Sequence, residues 1–308
     1  MKSIIPAIDK AIIESELNEN TFVRNTNKGN NKIYIINHHN SPNVMMEIGR
    51  LREVTFRAAG GGTGEAFDID EYDTSDTCYD QLIVYSPEDG EIVGGYRFIK
   101  GGKAIDKVNN AIHLSTTHYF NFTDKFIEDY LPQTIELGRS WVQPNFQPAV
   151  NPRKGLFALD NIWDGLGALI VDNPDIKYFF GKVTMYTHFN QVARDMFLFF
   201  LLKYFPDQEQ LLTPFHPLPI KHDMNEFDAS ISGLDYKDAF KILNQSVRNL
   251  GENIPPLVNI YMNLSPTMKT FGTAANPHFG DVEETGIIIT IDDIYDEKKV
   301  RHIQSYKK

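Results

Sequence analysis

Glu136-Leu137-Gly138-Arg139-Ser140-Trp141-Val142 is the stretch on which the reading of this chain turns. With Ile135 before it, the segment reads as a β-strand carrying an acid and a base within an otherwise apolar run. Side chains on a flat strand alternate between faces with a period of two, so Glu136 and Arg139 would point to opposite sides. A bulge at Gly138 would bring both to one face. The residues alone leave two readings of the pair open: a base working beside an arginine, or a structural ion pair.

Charged residues upstream fall into the same kind of surroundings. Ser41-Pro42 offers a helix N-cap followed by proline at the first helical position, and Gly60 offers a stop. Val44, Ile48, Leu51 and Phe56 recur at near-helical spacing, which places Arg52 on the buried side, where its charge needs a partner. Asp68, Asp70 and Asp73 are expected in an extended segment. Three carboxylates within six residues repel one another unless cations sit among them, and Arg52, Arg97 and Arg139 are the candidates. The bland alternative is an exposed acidic loop. Residues 81–85 and 91–99 read as strands joined by Ser86-Pro87-Glu88-Asp89-Gly90, with Gly94-Gly95 marking a bulge or a close backbone approach. Gly60-Gly61-Gly62-Thr63-Gly64 lacks the GK[ST] ending and the preceding strand of a phosphate loop, so a mobile loop is expected.

Downstream, Asn151-Pro152-Arg153-Lys154-Gly155 precedes a helix through Leu159, Trp163 and Leu169 that Asn173-Pro174 ends. A strand is expected over 178–186, then a helix capped by Asn190 that holds the Phe-rich run, and a helix over 234–250. Pro255-Pro256 opens a further helix, strands follow near 268–274 and 286–291, and 206–222 is a proline-punctuated loop. At the other end, residues 4–18 suggest an amphipathic helix and 32–37 a strand. Strands alternating with helices argue for a mixed α/β fold.

The 308 residues carry a net charge of −11, which disfavours nucleic acid as a main partner because phosphate binding needs clustered Lys and Arg. Cys78 is the one cysteine, so an intrachain disulfide and a Cys-based zinc cage are both excluded, and a reducing cytosol fits. Asp9, Lys10 and Glu14 interrupt any signal-peptide pattern in the first 20 residues. The apolar run at 196–202 is far shorter than the roughly 20 residues of a membrane span. It reads as core more readily than as an acyl pocket or a lipid contact. Neither HExxH nor G-x-S-x-G occurs, no metal site is expected, and Cys78 reads as a small buried residue.

The order R-x3-F at Arg52 and Phe56, D-x-D-x2-D at Asp68 to Asp73, a strand with Tyr96-Arg97, then E-x2-R at Glu136 and Arg139 resembles the acyl-homoserine-lactone synthases. It also resembles their relatives, the ornithine-lipid and glycine-lipid N-acyltransferases, some labelled haemolysin-like. Leu159-x3-Trp163, Tyr178-x2-Gly181 and the region from Pro256 to Phe279 extend the resemblance to the lipid branch, over about residues 45–280. All belong to the GNAT-like acyltransferases. The resemblance implies a GNAT-like sandwich, a mixed central sheet flanked by helices with N- and C-terminal elaborations. The segments expected are an N-terminal addition at 1–40, an acyltransferase core at 41–205 and a C-terminal extension packed on it at 206–308.

It further implies an enzyme that makes an amide from a thioester. Glu136 would be the base, worth about 10²–10⁴ in rate, with Arg139 beside it. Arg52, Phe56, Asp70, Asp73 and Arg97 would form the substrate site, and the backbone N–H groups of Leu137 and Gly138 would hold the oxyanion. Arg153, Lys154 and Gly155 would meet the donor, as R-x-G-x2-A where GNAT enzymes carry Q/R-x2-G-x-G/A. That departure argues against coenzyme A and for an acyl chain on acyl carrier protein, with no cofactor. A (3-hydroxy)acyl chain would pass to the α-amine of a small amino acid in aminolipid synthesis. Lys100, Lys103 and Lys107 are further basic residues for an acidic carrier. Glycine is favoured over ornithine, because three arginines could neutralise all three aspartates. The rivals are a homoserine-lactone-type synthase, disfavoured by length, and a membrane-active lipid-binding protein without activity. A cytoplasmic location, with peripheral contact at the inner membrane face, is expected.

Overall fold

Eight strands form one sheet in the order β1-β2-β3-β4-β5-β6-β8-β7, described here from a computed structural model. They are β1 (Phe22–Asn25), β2 (Lys32–Ile36), β3 (Asp80–Ser86), β4 (Glu91–Lys100), β5 (Thr134–Val142), β6 (Tyr178–Met185), β7 (Lys269–Asn276) and β8 (Val282–Thr290). The structure describes every residue except Lys107, Asn110 and Lys308, so the expectation for Lys107 lies outside the described residues. All neighbours are antiparallel except β5 and β6, which run parallel. The sheet is therefore mixed, and it draws β1 and β2 from 1–40 and β7 and β8 from 206–308, so it runs unbroken across those segment boundaries.

Six helices matter to the site: α1 (Lys10–Glu16), α2 (Pro42–Ala58), α3 (Ala158–Asp172), α4 (Gln191–Tyr204), α5 (Tyr236–Asn249) and α6 (Pro256–Met262). One sheet face, with Leu82, Val84, Phe98 and Leu137, shares its core with α3 to α6. The other face carries Ile83, Tyr85 and Trp141 under α2, then Ile99, Phe180 and Ile288 packed with Ala104, Leu114, Phe126 and Leu131. Phe197, Phe200 and Leu201 of α4 are buried in the first of these layers, so the apolar run is core.

Three expectations change at the local level. Ser41 makes no side-chain cap on α2; the Glu16 carboxylate, from α1, accepts from the backbone N–H groups of Asn43 at 3.0 Å and Val44 at 2.9 Å. An anion there also meets the positive end of the helix dipole. Helix α1 begins only at Lys10, where Asp9 caps it, rather than at residue 4. The glycine-rich loop is not loose, because the buried Glu53 carboxylate accepts from the backbone N–H groups of Thr63 at 3.0 Å and Gly64 at 2.8 Å. Those two donors are spent on an internal anion, and the Gly60 and Gly61 N–H groups donate to carbonyls at the end of α2.

Gly94 and Gly95 mark a close approach with a bulge beside it. A Cβ at Gly94 would lie 2.3 Å from the Trp141 carbonyl oxygen, and the β3–β4 register shifts between Val84 and Tyr85.

Candidate active site

Strands β5 and β6 pair only from Thr134 with Tyr178 to Leu137 with Gly181, although both continue past that point, to Val142 and Met185. Beyond the last pair they part, and the facing backbone edges of residues 138–142 and 182–185 look into a wedge. Strand β5 stays on β4, where Arg97 faces Gly138 and Gly95 faces Trp141, so an extra residue bulges between them. The expected bulge at Gly138 thus falls one step later, at Arg139, whose φ of 46° is left-handed. Such a conformation costs of order 1–3 kcal/mol in a non-glycine residue and persists only when its surroundings hold it. A cavity of about 560 Å³ opens over this bulge. Its walls include Phe56 from α2, Glu136 and Arg139 from β5, Lys182 from β6 and Glu284 from β8.

Glu136 is fully buried. Its two oxygens accept from the Tyr79 hydroxyl at 2.6 Å and the Ser115 hydroxyl at 3.0 Å. Burial raises its pKa above the usual glutamate value, while those hydrogen bonds and the charges of Arg97 and Lys182 pull it partly back. A carboxylate placed this way is a better proton acceptor than an exposed one. Tyr79 is in turn fixed by the Ser115 backbone N–H at 2.9 Å, and its own pKa rises through burial and the adjacent Glu136.

The aspartates and arginines interlock. Arg52, wholly buried on α2, donates to Asp68 at 3.1 Å and Asp73 at 2.8 Å. Arg97 donates to Asp70 at 2.7 Å and lies 3.4 Å from Asp73, and Arg139 donates to Asp68 at 2.8 Å. Asp70 and Asp73 are not in an extended segment as expected: they form a capping box on a single helical turn, Glu71–Thr74. The reciprocal bonds of such a box favour the turn over a strand. Burial alone would raise the pKa of Asp68, but Arg139 and Arg52 outweigh it and hold the carboxylate below its usual value; Arg52 and Arg97 do the same for Asp73. The Arg139 guanidinium also lies 4.4 Å over the Phe279 ring, which packs edge-on against Phe56 at 5.0 Å. Phe56 therefore walls the cavity and braces Arg139 through Phe279.

Across the wedge, Lys182 forms an ion pair with Glu284, and that carboxylate also accepts from Thr184 at 2.9 Å and Asn276 at 3.1 Å. Burial lowers the pKa of Lys182, Glu284 opposes this, and the nearby charges of Arg139 and Arg97 add to the lowering. Among the described residues, no group of three His, Cys, Asp or Glu side chains is placed to hold a metal ion.

At the outer end, Gly155, Ala158 and Leu159 line the cavity beside the start of α3. Asn151 caps the short turn Pro152–Gly155. The structure separates the three residues expected at the donor: Gly155 is in the wall, Arg153 is exposed outside it, and Lys154 pairs with Asp89. The Lys154 side chain crosses to the β3–β4 turn because an acidic partner stands within its reach there.

Residues 51–152 match the Acetyltransferase (GNAT) domain family. A glycine N(alpha)-acyltransferase of Bacteroides thetaiotaomicron is 55% identical over 306 residues, 99% of this chain and 91% of the relative. A second glycine N(alpha)-acyltransferase, from Phocaeicola vulgatus, is 53% identical over 308 residues, 100% of this chain and 94% of the relative. The chain belongs to the GNAT-type N-acyltransferases. No solved structure matches it. The matched domain segment holds Arg52, the three aspartates, Arg97, Glu136 and Arg139 of this acyltransferase, and ends ahead of α3. Reading the sequence for motifs missed Tyr79, Ser115, Lys182 and Glu284. The available signal was weak: Lys182 directly follows the Tyr178-x2-Gly181 motif and is a lone charge in the otherwise uncharged strand β6. Among the described residues no helix is long and apolar enough to cross a membrane.

Proposed function

We propose that this acyltransferase moves a (3-hydroxy)acyl chain from acyl carrier protein to the α-amine of glycine, forming the lyso precursor of an aminolipid. The observation that carries the acceptor is the charge pairing of the site. Asp68, Asp70 and Asp73 each meet an arginine and Glu284 meets Lys182, so Glu136 is the cavity-wall carboxylate with hydrogen-bond partners but no ion pair among the described residues. That suits an acceptor with one ammonium and disfavours a second ammonium such as that of ornithine. The names of the two relatives point the same way.

In this scheme Glu136 removes a proton from the glycine ammonium and the neutral amine attacks the thioester carbonyl. Backbone N–H groups around Leu137 and Gly138, at the mouth of the wedge, steady the oxyanion, a contribution of about 3–4 kcal/mol in comparable sites. Collapse forms the amide as the attacking nitrogen gives up its second proton and the thiolate is expelled; one proton goes to the thiolate and the other leaves to solvent, which restores the Glu136 carboxylate. Arg52, Arg97, Arg139, Asp70 and Asp73 keep the wall rigid, and Phe56 shapes it. The donor enters past Gly155, with Arg153 meeting the acidic carrier; Lys154 takes part by letting go of Asp89. The R-x-G-x2-A sequence there favours the carrier protein over coenzyme A. Peripheral contact with the inner membrane face belongs to the same reading, supported by Val150 and Leu156, 63% and 64% exposed beside the cavity-wall residues Ala149 and Gly155.

The test is thiol release by the purified enzyme from 3-hydroxyacyl carrier protein or the matching acyl-coenzyme A, with glycine, alanine or ornithine supplied separately. Glycine with the carrier protein is expected to be fastest. A strong preference for ornithine, or equal use of coenzyme A, would overturn the corresponding half of the proposal.

A further inference from the structure

Lys182 has no part in the scheme above, yet it faces the same space as the base. Phe180 lies opposite Glu136 in the parallel ladder, and Lys182 is two residues further along β6, so both side chains project from one face of the sheet. Arg97, opposite Gly138 on β4, shares that face. Its Nη1 is committed to Asp70, but its Nε is buried without a hydrogen-bond partner among the described residues. A buried, unpaired N–H on a cation is costly unless something fills the position. Nothing from β5 does, because the residue over it is Gly138; a Cβ there would already lie 3.4 Å from that Nε. The β8 residue opposite Lys182 is Gly286, over which the Phe120 ring packs, while Glu284, itself held by Thr184 and Asn276, pairs with the lysine from one side.

We infer that Lys182 Nζ and Arg97 Nε bind the carboxylate of the acceptor amino acid, which makes a free carboxylate a requirement for turnover. The inference rests on the reading that the acceptor is an amino acid, and it names what that reading left open. Two residues along a strand and one strand across put Glu136 and Lys182 roughly 8 Å apart at their backbones. An α-amino acid, hydrogen-bonded at each end at about 2.8–2.9 Å, has the length to bridge ammonium to Glu136 and carboxylate to the two cations. The lysine pKa is lowered first by burial and then by the nearby charges of Arg139 and Arg97, and an arriving anion offsets the latter. The ion pair with Glu284 holds the Lys182 side chain in place before the acceptor binds, so the site is preorganised.

The experiment compares glycine with glycinamide, which keeps the amine and replaces the carboxylate, at matched concentrations of free amine. Wild-type enzyme is expected to favour glycine by about 10² or more in kcat/KM, a floor below the roughly 10⁴–10⁵ by which a site built for a polar group rejects an analogue lacking it, because the amide keeps one carbonyl oxygen. The paired substitution Lys182→Met with Glu284→Gln removes both charges together. It is expected to raise KM for glycine at least tenfold and bring the glycine to glycinamide ratio close to one. Independently of turnover, N,N-dimethylglycine, whose tertiary amine forms no amide, is expected to raise the Tm of wild type and not of the variant. Equal use of the two amines by wild type, or a variant that keeps the glycine preference, overturns the inference. Should the variant not fold, the wild-type ratio and the dimethylglycine shift decide it. If no amino acid accepts the acyl chain but dimethylglycine still binds through Lys182, the proposed function falls and this site stands.

Discussion

Leu137 and Gly181 are the last pair of the parallel ladder, and a Cβ built on Gly181 would lie 2.4 Å from the Leu137 carbonyl oxygen. The contact is with backbone, which cannot swing away, so the point where the strands part is set by the absence of a side chain. The wedge that opens beyond holds the reacting groups.

Gly181→Ala is therefore expected to destabilise the protein by about 1–3 kcal/mol, the usual range for overpacking, and to lower activity further than the stability loss explains. Denaturant titration and thiol release measure the two effects separately. A change within about 0.5 kcal/mol, the range of neutral surface substitutions, would mean that the strands can shift to admit a methyl group.

Glu136→Gln keeps the shape and loses the base. A fall in kcat of about 10² or more, with little change in Tm, is expected from steady-state kinetics and a thermal melt. Retained activity would move the role to another group.

Tyr79→Phe removes one of the hydrogen bonds that favour the charged form of Glu136. The carboxylate pKa, already raised by burial, is expected to rise further. The acid limb of the pH profile of kcat/KM should shift to higher pH, whereas a purely structural Tyr79 would lower the whole profile without moving it.

Asp68 and Asp73 are held below the usual aspartate pKa, so the stability they supply is fully present above the unfolded value of about 3.9 and is lost as pH falls toward the folded values. Glu136, with its pKa raised, has the opposite sign: its contribution is present below its unfolded value and is lost as pH rises through the folded one. Melting curves are expected to fall steeply below about pH 4. Asp73→Asn should flatten that fall and, by leaving Arg52 and Arg97 short of a partner, cost about 3–5 kcal/mol at neutral pH. An unchanged acid limb in Asp73→Asn would mean that other carboxylates set it.

Arg153→Glu tests the donor face without disturbing the Lys154 pair with Asp89. A higher KM for acyl carrier protein, with a weaker salt dependence, is expected while KM for glycine is unchanged. The same KM for both enzymes would place the carrier elsewhere.

Most of the elements and much of the charge pairing are legible in local pattern. Strand β5, helix α2 with Arg52 on its inner side, the β3–β4 hairpin and the need of three aspartates for cations all follow from local periodicity, turn chemistry and the cost of unpaired charge. The order of arginines, aspartates and Glu136 also carried the family, since spacing along the chain survives in the residues themselves. Contacts between distant segments set the rest: the Glu16 carboxylate caps α2, Glu53 ties down the glycine-rich loop, and Lys154 turns to Asp89 instead of the cavity. Each of those depends on a partner from elsewhere in the chain, and local pattern holds no record of it. Lys182 and Glu284 are 102 residues apart and meet because β8 is inserted beside β6 as the sheet closes. Strand order is fixed by long-range packing, so the far wall of the site is not written in any one stretch.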